Sequence, residues 1–382
     1  MEKKQKISGT LENLNRINRL PVPVIHHVLS FLPVQEVVQT CVLSRGWRNL
    51  WCSVPTLDFD EQLNGGDFSK FFNKVLILRD GSDIEKFRLN LHQKNLYHSN
   101  SKVNNWILYA IRHNVQILGL QNTHEKYIHL NSQIFTCESL TELYLYHASI
   151  HLPESVCLPA LSVLHLRSVY FKDEYLDEGL FSACPSLENL TLENCDFECD
   201  MLSITASELK NLRMKGLFPS SIVISAPNLV SLELIINNEL PLNLMFNGDL
   251  KALSHANVDV KLDSFDLTTE LISIIKHARY LTFSACFLQS IISAELHKHV
   301  PILSCIIQTP FFNLKWLKIG TTFRNDETIV INNILRHSPE IESVFFVNDV
   351  DCRRMLLYAE RLLKAIGYKM QYNLEVYKML HS

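Results

Sequence analysis

The side chains best suited to chemistry are ten cysteines and sixteen histidines, and their spacing does not form a recognisable reactive site. Cys195 and Cys199 are four residues apart and His297 and His299 are two apart, but no second pair follows at a zinc-finger distance. The chain lacks the GxxxxGK(S/T), HExxH, GxGxxG and GxSxG motifs. We therefore expect structural thiols and surface imidazoles, with no metal, cofactor or catalytic site. A hydrolase that uses cysteine and histidine is an alternative class with no constellation to support it.

Composition sets the class of protein. The chain has 382 residues, 47% hydrophobic and 20% charged, which is enough for a large core and more than one domain. A net charge of −4 and the lack of a long basic run argue against nucleic acid as the main partner. The lysines of residues 1–16 precede no apolar segment, and no apolar run reaches the roughly 18 residues of a membrane-spanning helix. Cysteines without a framework spacing suit a reducing compartment. We expect a cytoplasmic or nuclear protein with no signal peptide or membrane anchor.

Residues 17–51 have the pattern of three short helices. Pro21 suits a helix start, where its missing N–H would have no partner. Apolar residues follow at helical spacing, stop at Pro33 and resume from Val34, and Ser44 is a candidate N-cap for a third helix. The first helical face consists of Ile25, Val28, Leu29 and Leu32, and the third helix carries Trp47, Leu50 and Trp51. So small a unit cannot bury all this apolar surface, so part of it must meet another surface.

Three motifs in this stretch carry a family resemblance. They are Leu20-Pro21, Ser30-Phe31-Leu32-Pro33 and Leu43-Ser44-Arg45-Gly46-Trp47-Arg48-Asn49-Leu50-Trp51. Their order and spacing resemble the F-box, in particular the plant F-box proteins with leucine-rich repeats. The resemblance implies docking on a Skp-type adaptor and, through it, on the cullin and RING subunits of a ubiquitin ligase. The adaptor contacts that it implies are Leu20, Pro21, Ile25, Val28, Leu29, Leu32, Pro33, Leu43, Ser44, Trp47, Leu50 and Trp51. The family usually has acidic residues where this chain has Val22-Pro23, and more often a basic residue at Gly46.

The rest of the chain repeats the spacing apolar-x-x-apolar-x-apolar. The clearest copies begin at Leu140, Leu161, Leu187, Leu209 and Leu229, with starts 21, 26, 22 and 20 residues apart. Weaker copies begin at Ile84, Val115, Leu250, Ala278, Leu314 and Ile341. This period is typical of leucine-rich repeats, in which each short parallel strand points alternate residues into a shared core and the repeats stack into a curved solenoid. Proline stands two residues before three of these starts, where we expect it to end a helix or loop and lead into the strand.

The strand residues between the inward leucines face the predicted concave side, where solenoids usually bind their partners. The candidate substrate-binding residues are Tyr144, Tyr146, His165, Arg167, Glu193, Arg213, Lys215 and Glu233. Because neighbouring strands lie about 4.8 Å apart, we expect these side chains to form one contiguous patch. Tyrosine and arginine favour a protein or peptide partner, whereas a phosphate ligand would lack a glycine-rich cradle. An ordinary solvated sheet face is the open alternative.

The sequence predicts an α/β protein with four segments. They are an F-box domain at 17–52, a linker and helix at 53–81, a leucine-rich-repeat solenoid with helices and loops on its convex side at 82–350, and a capping helix in 351–382. Residues 312–317 and 334–342 loosely resemble the C-terminal FBD region of the same plant family. The implied function is a non-catalytic substrate receptor of an SCF-type ubiquitin ligase, holding an unidentified target protein. The alternative is an adaptor-binding or repeat-based interaction module without ligase function.

Overall fold

The computed structural model describes residues 20–63, 67–92, 100–124, 126–173, 179–239, 241–298, 310–320 and 325–347, with backbone alone at 294–298, 325 and 347. The chain divides into two compact units, Met1–Leu161 and Ser162–Ser382. The capping helix that the sequence predicts at 353–366 lies outside the described residues, as do residues 17–19 of the F-box stretch. The four predicted domain boundaries stay a prediction.

The first unit begins with the predicted helices. Helix α1 is Val22–Leu29 and α2 is Val34–Gln39, which runs into a 3-10 helix at Thr40–Val42. Pro21 and Pro33 are the N-caps of the two α-helices, so each proline stands where a helix begins.

Where the sequence predicts a third helix, turns at 45–49 lead into a 3-10 helix at Leu50–Ser53. The Ser44 hydroxyl does accept the Trp47 backbone N–H, at 3.4 Å, as an N-cap would. Asn49 then adopts φ −114° and ψ 0°, outside the α-helical region, so the chain does not continue as an α-helix.

The rest of the first unit alternates strands and helices. The elements are β1 (Thr56–Asp60), α3 (Phe68–Leu78), β2 (Lys86–Leu91), α4 (Asn100–Arg112), β3 (Ile117–Asn122), β4 (Ile128–His129), β5 (Glu142–Tyr146) and β6 (Ala148–Ile150). β1, β2, β3 and β5 form a parallel sheet in that order, and β4 pairs with β6. Residues 53–81, predicted as a linker and helix, therefore also contain β1, which is the neighbour of β2 in the sheet.

An aromatic cluster fills the space between this sheet and its helices. Phe59 on β1 stacks on Phe72 of α3 at 3.9 Å between ring centroids, and Phe72 stacks on Trp106 of α4 at 4.1 Å. Asp67 begins α3 by accepting the Lys70 backbone N–H at 3.1 Å. The buried residues of α3, Phe68, Phe72 and Val75, form its apolar face.

The second unit is dominated by a longer parallel sheet. Its elements are β7 (Val163–Arg167), β8 (Tyr170–Phe171), α5 (Gly179–Ser182), β9 (Asn189–Glu193), β10 (Asp196–Phe197), β11 (Met201–Thr205), β12 (Asn211–Gly216), β13 (Ser221–Ser225), β14 (Ser231–Ile236), β15 (Asn243–Phe246), β16 (His255–Val260), α6 (Phe265–Ile275), β17 (Tyr280–Phe283), α7 (Ala285–Lys298), β18 (Trp316–Gly320), α8 (Asn325–Arg336) and β19 (Ser343–Val347). The order of the long sheet is β7-β9-β12-β14-β16-β17-β18-β19. β8 pairs with β10, and β13 lies between β11 and β15.

The repeat pattern is confirmed, because ten of the eleven copies lie at a long-sheet strand whose inward residues are buried, with Val344 half-buried as the one exception among them. The leucines of the five clear copies and Met214 are all 2% exposed or less. The copy assigned to Leu250 is in the wrong register. There the strand begins at His255, with Ala256 and Val258 as inward residues, so the copy begins at Leu253, three residues later than the sequence analysis placed it. Alanine at the inward position hid the true start at Leu253.

A tight turn before the strand recurs in the second unit. The backbone N–H of Leu187 donates to Cys184 O at 3.0 Å, and Leu229 donates to Ala226 O at 3.2 Å. The prolines predicted to lead into these strands, Pro185 and Pro227, occupy the second position of this turn. Proline is favoured there because its fixed φ suits that position of a turn.

Candidate functional site

The N-terminal helices have a small interior of their own. Ile25, Leu29, Val37, Trp47 and Val54 form one buried cluster, against which Leu32, Leu50 and Trp51 pack. Six of the twelve residues implied to contact an adaptor therefore fill or line this interior: Ile25, Leu29, Leu32, Trp47, Leu50 and Trp51. Their primary role in the chain is to hold the helices together.

Other apolar side chains of the same segment point to solvent. Leu20, Pro21, Val28 and Leu43 from the implied set are exposed, whereas Pro33 and Ser44 are half-buried. Leu43 is 61% exposed, and Phe31, which the sequence analysis did not select, is 75% exposed. We call the following residues the exposed apolar set: Leu20, Val22, Val24, Val28, Phe31, Val42 and Leu43. Helical spacing could have found Val24, because it stands one turn before Val28, away from buried Ile25 and Leu29.

Three polar contacts fasten this segment to the beginning of the sheet in the first unit. The Gln35 side-chain amide on α2 donates to Asp60 O at 2.8 Å. The buried Arg79 guanidinium donates to Val54 O at 2.6 Å and to Ser82 O at 3.2 Å. Backbone Asp80 N–H donates to Cys52 O at 3.3 Å. The exposed apolar set is therefore presented on a base that is hydrogen-bonded to β1 and to the end of α3.

In the first unit, the predicted binding residues Tyr144 and Tyr146 lie on β5. The Tyr144 hydroxyl donates to Glu142 Oε2 at 2.8 Å. Burial, together with that hydrogen bond and the negative charge of Glu142, raises the pKa of Tyr144 to about 12. Gly119 faces Tyr144 from β3, and a Cβ there would lie 3.3 Å from Arg88 Cγ. Glycine thus leaves room for Arg88 beside the tyrosine, and Tyr144 acts as a neutral donor and apolar surface.

In the second unit, the other six predicted residues lie close together on β7, β9, β12 and β14. Register places His165 beside Thr191, Thr191 beside Arg213, and Arg213 beside Glu233. The Arg213 guanidinium lies between two carboxylates, with Nε 2.8 Å from Glu193 Oε1 and Nη1 3.0 Å from Glu233 Oε2. The first approach is an ion pair without hydrogen-bond alignment.

The charges of this cluster largely neutralise one another. Arg167 Nε lies 3.7 Å from Glu193 Oε2, and Asn257 donates to Glu233 Oε1 at 3.3 Å. Lys215 is exposed. Burial, together with the positive charges of Arg167 and Arg213, lowers the pKa of His165, although Glu193 opposes this shift. The cluster therefore offers a partner a nearly neutral surface in which the acids are already paired with bases.

The two cysteines singled out by their spacing are both buried. The Cys195 thiol donates to Leu166 O at 3.5 Å, and burial raises its pKa to about 12, so the reactive thiolate is disfavoured. Within the residues that the structure describes, no group of three or more histidine, cysteine or acidic side chains could hold a metal ion. The His297 side chain and His299 lie outside them. No helix in the described part of the chain is both long and apolar enough to span a membrane.

Comparison with known proteins agrees with these two kinds of structure. Residues 17–59 match the family model described as the F-box domain, and residues 103–247 match the one described as "FBD-associated F-box protein At5g56370, LRR repeats". Together these matches support a plant F-box/leucine-rich-repeat family for this chain. The F-box and the repeats indicate an F-box protein suited to protein–protein interaction.

Relatives in Arabidopsis thaliana share this F-box and repeat organisation. The putative F-box/FBD/LRR-repeat protein At5g25850 is 29% identical over 92% of this chain and 74% of its own length. The F-box/LRR-repeat protein At4g14103 is 29% identical over 86% of this chain and 91% of its own length. F-box/LRR-repeat protein 13 is 35% identical over 54% of this chain and 47% of its own length.

Proposed function

We propose that this F-box/leucine-rich-repeat protein is the substrate-recognition subunit of an SCF-type cullin–RING ubiquitin ligase, in the cytoplasm or nucleus. It would bind a Skp-type adaptor through the exposed apolar set and a target protein through the solvent-facing side chains of the repeat strands. The observation that carries the proposal is that the F-box segment fills its own interior and still exposes seven apolar residues. Apolar side chains gathered on so short a segment gain stability when a partner removes them from water.

The chain would work without chemistry of its own. A target held on the repeats is brought near the conjugating enzyme, so that its lysines react at a raised effective concentration. Such a receptor must hold its target in a fixed position relative to the adaptor. Two hydrogen bonds support this role: Gln35 donates to Asp60 O, and Arg79 donates to Val54 O. They attach the F-box segment to β1 and to the end of α3.

Reconstitution with a fused reporter tests the proposal without a known target. A lysine-rich reporter protein is fused to the chain and mixed with purified adaptor, cullin, RING subunit, conjugating enzyme, ubiquitin and ATP. We expect ubiquitin on the reporter with the intact chain, and its loss in the Leu20→Ala, Leu43→Ala double variant. A matched double variant at two exposed apolar residues of the repeats, Leu217→Ala and Met245→Ala, should retain the modification.

The two readouts of this experiment separate the candidate functions. A complex that contains adaptor and cullin but leaves the reporter unmodified would contradict the proposal and favour an adaptor-binding module without ligase function. A folded chain that does not enter the complex at all would also contradict it, and would leave a protein that acts through its repeats alone.

A further inference from the structure

Four aromatic side chains lie on four neighbouring strands of the second unit. Register pairs His255 of β16 with Tyr280 of β17, and Tyr280 with Trp316 of β18, while Phe345 of β19 is the partner of Lys318, two residues beyond Trp316. The ring centroids are 4.5, 6.3 and 4.5 Å apart along this series. We call His255, Tyr280, Trp316 and Phe345 the aromatic strip. The sequence analysis selected none of these four residues.

The aromatic strip exposes large apolar surface that the fold does not need. Tyr280 is 42% exposed and Trp316 is 46% exposed, while the inward neighbours Leu281 and Leu317 are fully buried. Tyrosine and tryptophan supply much of the binding energy at protein interfaces. These rings pack against one another, so they would lose little conformational freedom when a partner binds.

Packing along the aromatic strip determines which kind of ligand it fits. The His255 and Tyr280 rings are stacked at 7° from parallel, so each covers one face of the other, whereas the Trp316 and Phe345 rings are in contact but tilted by 40°. Unstacked nucleobases bind to the open faces of aromatic rings. The stacked pair therefore offers fewer open ring faces than a base-binding platform needs. Partly covered rings of this kind suit the aromatic and proline side chains of a peptide better than a stacked base.

Nearby charges make the same strip attractive to acidic groups. Lys318 is exposed on the same face of β18 as Trp316, and exposed Arg279 directly precedes Tyr280. No described carboxylate forms an ion pair with either cation, although neighbouring Lys315 does pair with Glu342 at 2.7 Å. Asp259, an acidic residue on the same face, lies four residues along β16 from His255. Within the part of the chain that the structure describes, Arg213 is paired with two carboxylates, whereas neither Lys318 nor Arg279 is paired with one.

We propose that the aromatic strip binds an extended segment of a partner protein that carries an aromatic or proline side chain beside aspartate or glutamate. The rings would contact the apolar side chain, and Lys318 and Arg279 would pair with the acidic ones. This inference names the class of target for the proposed function. It rests on the proposed function only for the claim that the bound protein is then ubiquitinated. It also places recognition on β16 to β19, whereas the sequence analysis placed it on β5 to β14.

Selection from a library of random linear peptides, displayed against the intact full-length chain, tests this proposal. We expect the enriched peptides to combine an aromatic residue or proline with aspartate or glutamate. The affinity of a synthetic enriched peptide, measured by fluorescence polarisation, should fall at least about tenfold in Trp316→Ala. Phe312→Ala is the matched control, because Phe312 is 63% exposed, lies before the same strand and is outside the aromatic strip. It should leave the affinity unchanged.

A second variant tests the charge without touching the rings. Lys318→Glu should weaken the peptide several-fold, with a smaller effect at high salt, whereas Lys251→Glu at an exposed turn should not. Failure to enrich any peptide, enrichment of basic peptides, or equal losses in Trp316→Ala and Phe312→Ala would overturn the proposal. Circular dichroism of each variant establishes that it is folded.

Adaptor binding, measured on the same variants, keeps this proposal separate from the proposed function. Trp316→Ala should bind the adaptor as the intact chain does. A chain that binds acidic peptides through Trp316 but no adaptor would support the aromatic strip and contradict the ligase role. A chain that binds the adaptor but no peptide would do the reverse.

Discussion

Two leucine-to-alanine changes in the F-box segment should have opposite consequences, although the chemical change is the same. Leu29 is 1% exposed within the buried cluster, and Leu43 is 61% exposed in the exposed apolar set. Leu29→Ala removes buried methyl groups and leaves a cavity, which typically costs about 2–5 kcal/mol of folding free energy. Leu43→Ala removes surface that is already in water, so it should change stability by less than about 0.5 kcal/mol.

The expected loss of adaptor affinity follows from the same exposure. Burying a whole leucine side chain contributes about 1.5–3 kcal/mol. Leu43 has about three-fifths of its surface left to bury, so truncation should cost roughly 1–2 kcal/mol of binding, or about 5- to 30-fold in Kd. Isothermal titration calorimetry with a purified Skp-type adaptor measures this loss, and urea unfolding of the same two proteins measures stability.

The reasoning is refuted if Leu43→Ala unfolds as easily as Leu29→Ala while binding the adaptor normally. That result would mean that Leu43 belongs to the interior of the chain and not to a docking surface. Leu29→Ala should lose affinity only to the extent that it is unfolded, so its affinity per folded molecule, measured below its unfolding transition, should stay close to that of the intact chain.

Three further changes test other parts of the structure. Arg79→Met removes the donor to Val54 O and should lower the free energy of unfolding in urea by about 1–3 kcal/mol. Lys70→Met, on the surface, is the control and should change it by almost nothing. Equal losses of stability in the two variants would show that the Arg79 hydrogen bonds are unimportant. Gly216→Ala should lower the free energy of unfolding by about 1–3 kcal/mol, because φ is +120° and the new Cβ would lie 2.9 Å from Asn194 Oδ1. Gly179→Ala is the control and should be tolerated, because the space around Gly179 is open. If Gly216→Ala left stability unchanged, the backbone at Gly216 would not be strained by a side chain. Burial lowers the pKa of His147, His165 and His277 in the folded chain, so below the unfolded value of about 6.5 the unfolded state binds more protons. The free energy of unfolding should therefore fall as the pH is lowered. His165→Gln should show a smaller fall between pH 7.5 and 5.5, and an unchanged fall would mean that His165 does not contribute.

The inward side of the repeats could be predicted because it depends on local spacing alone. The spacing of Leu140, Leu143 and Leu145 is enough to predict a strand, and all three side chains are buried. The register at Leu250 was missed because Ala256 takes an inward position and carries too little apolar surface to mark it. The turn chemistry of Pro185 was also missed, because a turn and an extended approach to a strand place proline in the same sequence position.

The outer side of the repeats could not be predicted in the same way. His255, Tyr280 and Trp316 are neighbours only because β16, β17 and β18 pair in register, and the described part of the chain between them includes α6 and α7, which differ in length. The charged side chains chosen from the sequence do meet, but Arg167 and Arg213 neutralise Glu193 and Glu233. In the F-box segment, the period of the apolar residues did not separate buried Leu29 from exposed Val28.

Direct titration of the Skp-type adaptor into the intact chain is the measurement closest to the central claim. We expect saturable binding with one adaptor per chain, at least about fivefold weaker in Phe31→Ala, where a 75% exposed ring is removed from the F-box segment. Phe312→Ala, at another exposed phenylalanine, should bind as the intact chain does. An intact, folded chain that does not bind the adaptor, or equal weakening by the two phenylalanine variants, would contradict the claim that this segment docks the protein on a ubiquitin ligase.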